Sequence, residues 1–157
     1  MLLSFAEIAG SEQSDKVTPS KFKSWEPHDY AGLYQRHLGA RRATPTRLLE
    51  IGLGCLMPQG AGRSIPIWRR FLPCASVSIL DYAAECAEPF RPQLEGLFLG
   101  DQSNAAVLDA AVLAGAPYDV IIDDGSHNSV HQIKSFAHLF PHVAGRRLHH
   151  RRPALRV

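Results

Sequence analysis

The sequence predicts an α/β fold, a parallel sheet with helices on both faces, and three observations carry that reading. Short apolar runs alternate with stretches of helical spacing. Four of those runs stop at Gly, Asp or both. Their separation suits strand-to-helix crossovers better than hairpins. In sheets of this kind, ligands bind at the carboxyl ends of the strands, so the residues that end each run are the first candidates for a site.

Each element follows from its residues. Positions 10–29 are polar and rich in Ser, Lys and Pro, which predicts an irregular segment. Tyr30, Leu33, Tyr34 and Leu38 have helical spacing and end at Gly39. After a polar connector, Arg47 to Ile51 is an apolar run that stops at glycine, as a buried parallel strand does. Val77 to Leu80 predicts a second strand ending at Asp81, and Leu97 to Leu99 a third ending at Gly100-Asp101. Asn104 to Ala114 reads as a helix, with Ser103 or Asn104 as its cap. Tyr118 to Ile122 is the clearest strand and ends at Asp123-Asp124. Ser129 to Leu139 is the next helix, with Val130, Ile133, Phe136 and Ala137 predicted on its buried face. The chain divides into an N-terminal segment and helix (1–46), a ligand-binding sheet domain (47–143) and a basic tail (144–157).

Composition narrows the class. A chain of 157 residues with 45% apolar content suits one globular domain. No apolar run approaches the roughly 20 residues that span a bilayer, and no membrane partner is expected. Glu7 and the lack of a basic start argue against a signal peptide, so the expected compartment is cytoplasmic. Cys55, Cys74 and Cys86 lack paired metal spacing, and their odd number argues against a disulfide framework. Arg146, Arg147, Arg151, Arg152 and Arg156 crowd the tail; without them, 12 basic residues stand against 15 acidic ones. A basic tail on an acidic body suits a nucleic-acid arm, but no aromatic interleaving or recognisable module accompanies it, and no nucleic-acid partner is expected.

The strand ends hold the candidate chemistry. In Glu50-Ile-Gly52-Leu-Gly54, glycines after a strand let backbone approach a ligand, although an ordinary turn has the same composition. Glu50 sits in an apolar strand end, where an unpaired carboxylate is costly. A ligand-binding role or a salt bridge accounts for it equally. Asp81, 29 residues after Gly52, is placed to accept from both ribose hydroxyls of a nucleoside, or simply to cap the following helix. Asp101 or Gln102 is placed to bond an adenine edge. The densest cluster is Asp123-Asp124-Gly125-Ser126-His127. Adjacent carboxylates repel unless a cation or hydrogen bonds offset them, and hard oxygen ligands suit Mg²⁺. A neutral imidazole three residues beyond Asp124 can take a hydroxyl proton. The plainer alternative is a turn with capping acids and a solvated histidine.

Together these segments resemble the metal-dependent sugar O-methyltransferases of natural-product biosynthesis, which act on macrolide and tetracenomycin deoxysugars. The resemblance runs from about Ser14-Asp15-Lys16 to Leu139-Phe140-Pro141 and is most specific at Leu48 to Gly54, Gly100 to Ser103 and Tyr118 to His127. His28-x-Tyr30 and Tyr34-x-x-His37 resemble the N-terminal element of that family. The resemblance implies a Rossmann-like class I methyltransferase sheet, incomplete at its C-terminal side. S-adenosylmethionine and Mg²⁺ are the implied cofactors, and a sugar or natural-product hydroxyl is the implied acceptor. A homo-oligomer is compatible with it. Glu50, Gly52 and Gly54 would shape the cofactor pocket and Asp81 would hold the ribose. Asp101 and Gln102 would lie near adenine, with Asp123 a further cofactor-binding residue. Asp124 would ligate the metal, and His127 would be the base.

Two departures stand out. Cys55-Leu-Met-Pro-Gln59 replaces a stretch typically richer in glycine. Where the family continues with Pro-Gly-Gly, a Tyr-Ile-Ile strand and two metal-binding acids, this chain reads Ala144-Gly-Arg-Arg-Leu-His-His-Arg-Arg-Pro-Ala154. Permitted codons for those residues, read one nucleotide later, can encode Pro-Gly-Gly-Val-Tyr-Ile-Ile-Glu-Asp-Leu. A frameshift near Ala144 is therefore expected to have generated the tail, and these 157 residues are expected to show little or no turnover. The alternatives are a catalytically dead methyltransferase remnant and a nicotinamide-dependent oxidoreductase. The missing third glycine, at Met57, and the Asp-Asp-Gly-Ser-His cluster weigh against the second.

Overall fold

The computed structural model describes residues 2–12, 14, 16, 30–57 and 60–145. Asp15, His28 and the arginine tail from 146 to 157 lie outside the described residues. The elements run α1 (Phe5–Ser11), α2 (Ala31–Leu38), β1 (Thr46–Ile51), α3 (Ser64–Phe71), β2 (Ala75–Asp81), α4 (Ala84–Ala87), β3 (Gly96–Leu99), α5 (Ala105–Gly115), β4 (Val120–Asp123) and α6 (Ser129–Leu139). Short 3₁₀ turns follow α2, α4 and α6.

All four strands are parallel, in the order β3-β2-β1-β4. β1 is central. Its side chains alternate across the sheet, as the two-residue period of a strand requires. Leu48 faces a core built with Phe5, Ile8, Ile65, Trp68, Phe71, Val77 and Ile79. Leu49 and Ile51 face the other core, with Leu80, Leu108, Ala111, Tyr118 and Leu139. Helices α1 to α3 thus cover one face, and α5 and α6 cover the other. The α/β sheet covered on both faces is as predicted. Chain order reverses between β1 and β4, the topological switch point where ligand crevices form.

Three elements, α1, α3 and α4, went unread in the sequence. In α1, Ser4 accepts from the Glu7 amide at 3.3 Å while Glu7 Oε2 accepts from the Ser4 amide at 2.7 Å, a reciprocal capping box. Phe5 then enters an aromatic cluster, with ring centroids 4.8 Å from Tyr34, 5.1 Å from Phe71 and 5.7 Å from Trp68. The third is α4, whose four residues are too few to leave a periodic pattern. Two expectations need correction. The predicted buried face of α6 is its outer one: Val130, Ile133 and Phe136 are 58%, 67% and 60% exposed, and Ala137 is exposed too. The helix docks through Ser135 and Leu139, because the Ser135 hydroxyl bonds Asp123 at the end of β4. Cys55 and Cys86 form a disulfide with Cα atoms 5.9 Å apart, despite the odd cysteine count. The pairing of neighbouring strands β1 and β2 brings together the loops that follow them. Only Cys74 is free.

Candidate functional site

The cradle begins at Gly52, where β1 ends. Its φ of +96° is one that side chains rarely adopt, and a Cβ there would run into the backbone carbonyl of Asp124. The glycine is therefore required for the loops after β1 and β4 to touch. The Asp124 amide completes the contact by donating to Ile51 O at 2.9 Å. On the other side, Asp81 closes β2, and its Oδ2 accepts from the Leu53 amide at 2.7 Å. Its Oδ1 accepts from the Ala83 amide at 2.8 Å. Asp81 thus ties down the glycine loop; it does not cap the following helix, whose N-cap is Ala83 with no side-chain cap bond. The Gly100 amide donates to Asp81 O at 3.0 Å, which brings the end of β3 alongside. Gly52, Gly54, Asp81, Asp101 and Asp124 thus stand at the carboxyl ends of consecutive neighbouring strands.

Glu50 is 1% exposed and its carboxylate is engaged by side chains of the protein. Its Oε2 accepts from Ser64 Oγ at 2.5 Å and Trp68 Nε1 at 3.0 Å, and its Oε1 lies 3.4 Å from Lys16 Nζ. The salt-bridge reading of Glu50 holds. Burial pushes its carboxyl above the usual range, with Lys16, Ser64 and Trp68 pulling back. Lys16 is buried too, and burial opposes its charge. Glu50 and Asp124 together outweigh that cost and keep it protonated. Its Nζ sits 2.5 Å from Asp124 Oδ2. Sequence reasoning missed this lysine as a site residue; a lone Lys beside a polar segment gives no local signal.

Gln102 and Asp123, both expected near the nucleoside, face each other instead. Gln102 Nε2 donates to Asp123 Oδ1 and Oδ2 at 3.1 and 3.0 Å, and Gln102 Oε1 accepts from the Ser126 amide at 2.8 Å. Ser135 Oγ donates to Asp123 Oδ2 at 2.7 Å. The amide and the carboxylate bond one another in a network that holds α6 and its preceding loop to the sheet. Asp101 stays at the rim. Its Oδ1 accepts from the Ser103 amide at 2.7 Å, which holds its carboxyl below the ordinary range. Asn104 caps α5 and Asn128 caps α6. His127 lies between them on the exposed loop with φ of +55°, an uncommon conformation for a side-chain-bearing residue that recurs at functional turns.

A divalent cation of the Mg²⁺ type takes about six oxygen ligands. Among the described residues no three His, Cys, Asp or Glu side chains form such a group. Asp124 offers one carboxylate, half engaged by Lys16, and Asp123 is bonded to Gln102 and Ser135. The described residues alone therefore do not make a metal site. A cavity of about 290 Å³ lies at the opposite end of the sheet, lined by Pro45, Thr46, Arg47, Ser76, Pro117 and Asp119, and holds none of the predicted residues.

A parallel sheet in the order 3-2-1-4, a glycine loop after its central strand and an acid closing the next strand make a Rossmann-like fold of the kind that binds nucleoside cofactors. No family model matches the chain. It is 36% identical over 135 residues to the mycinamicin VI 2''-O-methyltransferase of Micromonospora griseorubida, covering 85% of this chain and 33% of that protein. It is 35% identical over 119 residues to the L-olivosyl-oleandolide 3-O-methyltransferase of Streptomyces antibioticus, covering 74% and 30%. Among solved structures, the MycE methyltransferase in complex with Mg, S-adenosylhomocysteine and mycinamycin VI superposes with a TM-score of 0.73 at 32% identity, covering 90% of this chain and 36% of that one. Along the part it covers, the chain is similar to macrolide and tetracenomycin sugar O-methyltransferases. It spans about a third of the length of the relatives it matches.

Proposed function

We propose that this chain is the cofactor-binding part of an S-adenosylmethionine-dependent O-methyltransferase whose acceptor is a hydroxyl of a sugar or glycosylated natural product. The observation that carries it is the run of contacts Asp124–Gly52–Leu53–Asp81–Gly100 across four adjacent strand ends. That run makes one cradle from residues more than 70 positions apart. Gly52 and Gly54 would admit the cofactor close to backbone, Asp81 would accept from the ribose hydroxyls, and Asp101 would lie at the adenine rim. Gln102, Asp123 and Glu50 support the cradle and do not touch the cofactor.

In the reaction, the acceptor oxygen forms a bond to the sulfonium methyl carbon as the carbon–sulfur bond breaks, leaving a neutral thioether. The hydroxyl proton goes to His127. The sulfonium is already a good leaving group, so the protein's work is mainly positioning. Mg²⁺ belongs to the intact enzyme in this reading; Asp124 would meet it, and further oxygen ligands are needed beyond the described residues. Little or no turnover is expected from these 157 residues. The frameshift origin of residues 144–157 belongs to the same reading. A nucleotide sequence with no alternative frame encoding the Tyr-Ile-Ile-Glu-Asp strand would end it.

Calorimetric titration tests the cofactor reading. S-adenosylhomocysteine is expected to bind and NAD is not. Binding of NAD alone, or turnover of a glycosylated macrolide at the rate of a full-length relative, would overturn the corresponding half of the proposal.

A further inference from the structure

Lys16 is far in sequence from every strand end, yet its side chain is 4% exposed and reaches the switch point between β1 and β4. Its backbone is held on both sides. The Lys16 amide donates to Ser14 Oγ at 3.2 Å, and Lys16 O accepts from the Tyr30 amide at 3.3 Å. Ser14 in turn donates its amide to Ala9 O of α1 at 3.0 Å, and Tyr30 leads directly into α2. The ammonium is thus delivered from two helices that pack on the sheet.

What it meets there is a pair of carboxylates from neighbouring strands: Glu50 within β1, and Asp124 just after β4. Without a cation between them the two would repel, the more so because Glu50 is buried. Asp124 is also the residue whose carbonyl lies against Gly52 and whose amide bonds Ile51 O. Holding its carboxylate holds that carbonyl, and the carbonyl sets where the glycine loop lies. Glu50, anchored by Ser64 and Trp68, gives the lysine its fixed second point.

We infer that Lys16 is a positioning residue of the cofactor cradle, locking the loops after β1 and β4 into one unit through Asp124. It touches no cofactor atom itself. The inference rests on the cofactor reading only for its consequence in binding; the locking stands apart from it.

The test uses Lys16→Met and Asp124→Asn in the full chain, followed by hydrogen–deuterium exchange. Asp124→Asn keeps the Lys16–Glu50 pair, so it decides the matter even if Lys16→Met does not fold. Each variant is expected to speed exchange by about tenfold in peptides covering 50–57 and 123–128, with 105–115 in α5 unchanged. S-adenosylhomocysteine affinity should fall in each single variant and fall no further in the double, because both remove the same constraint. Unchanged exchange at the two loops, exchange raised evenly along the chain, or additive losses in the double variant would each overturn the role. A wild-type chain that binds no S-adenosylhomocysteine would instead sink the cofactor reading, and the exchange data would still decide Lys16.

Discussion

Replacing Gly52 with alanine separates two costs that the structure places at one atom. A non-glycine residue in a left-handed conformation costs about 1–2 kcal/mol. The added methyl must also displace the Asp124 carbonyl, an overpacking penalty of about 1–3 kcal/mol. Together they predict about 2–5 kcal/mol, or a Tm lowered by about 4–20 °C for a chain of this size. Gly60 supplies the control. Its φ is +90°, close to that of Gly52, but a Cβ there meets nothing within 4 Å. Gly60→Ala should therefore show the conformational cost alone. Urea unfolding of both variants, read by circular dichroism, gives the difference directly. If Gly52→Ala costs no more than Gly60→Ala, the loops after β1 and β4 are not in contact and the argument for a shared cradle fails.

Three further outcomes follow from the same contacts. Phe5→Ala empties a fully buried ring position among Tyr34, Trp68 and Phe71 and should cost about 3–5 kcal/mol in chemical unfolding; a loss under 1 kcal/mol would mean that α1 is not docked. Asp81→Asn removes a charged acceptor shared by the glycine loop and the expected ribose. S-adenosylhomocysteine affinity should drop roughly 10- to 100-fold by calorimetry, the worth of one charge-assisted hydrogen bond. Cys86→Ser opens a loop of 31 residues, and in the chain-entropy account the loss is about 3–4 kcal/mol. A reducing agent should lower the wild-type Tm and leave that of Cys86→Ser unchanged.

Much of the fold was legible because the signals are local. An apolar run that stops at Gly or Asp marks a buried parallel strand wherever it occurs, and all four strands were found this way to within a few residues. The limits of α6, Ser129–Leu139, were read correctly, although its Asn128 cap was not. The capping box before α1 was equally local and went unread. For α3, Pro66 and paired arginines obscured the pattern, although the buried Trp68 and Phe71 keep the helical spacing. At the site, the glycines and acids that end the strands were visible as types in the right places. Which of them bond to one another was not.

That pairing is tertiary. Periodicity says that α6 has an apolar face, but which face is buried depends on where the sheet is. Ser135, bonded to Asp123, turns Val130, Ile133 and Phe136 outward beside the β4 edge. Along that edge, on the side away from β1, the only pairing among the described residues is a single bridge from Tyr118 to Val143. Gln102 and Asp123 are 21 positions apart, and only the fold brings them within hydrogen-bonding distance of each other. Lys16 and Asp124 are 108 positions apart and meet at 2.5 Å. By itself the sequence determined the strands and their polar ends, since those depend on neighbours along the chain. The folded chain alone decided which charges meet, because Coulomb and hydrogen-bond energies depend on distance in space.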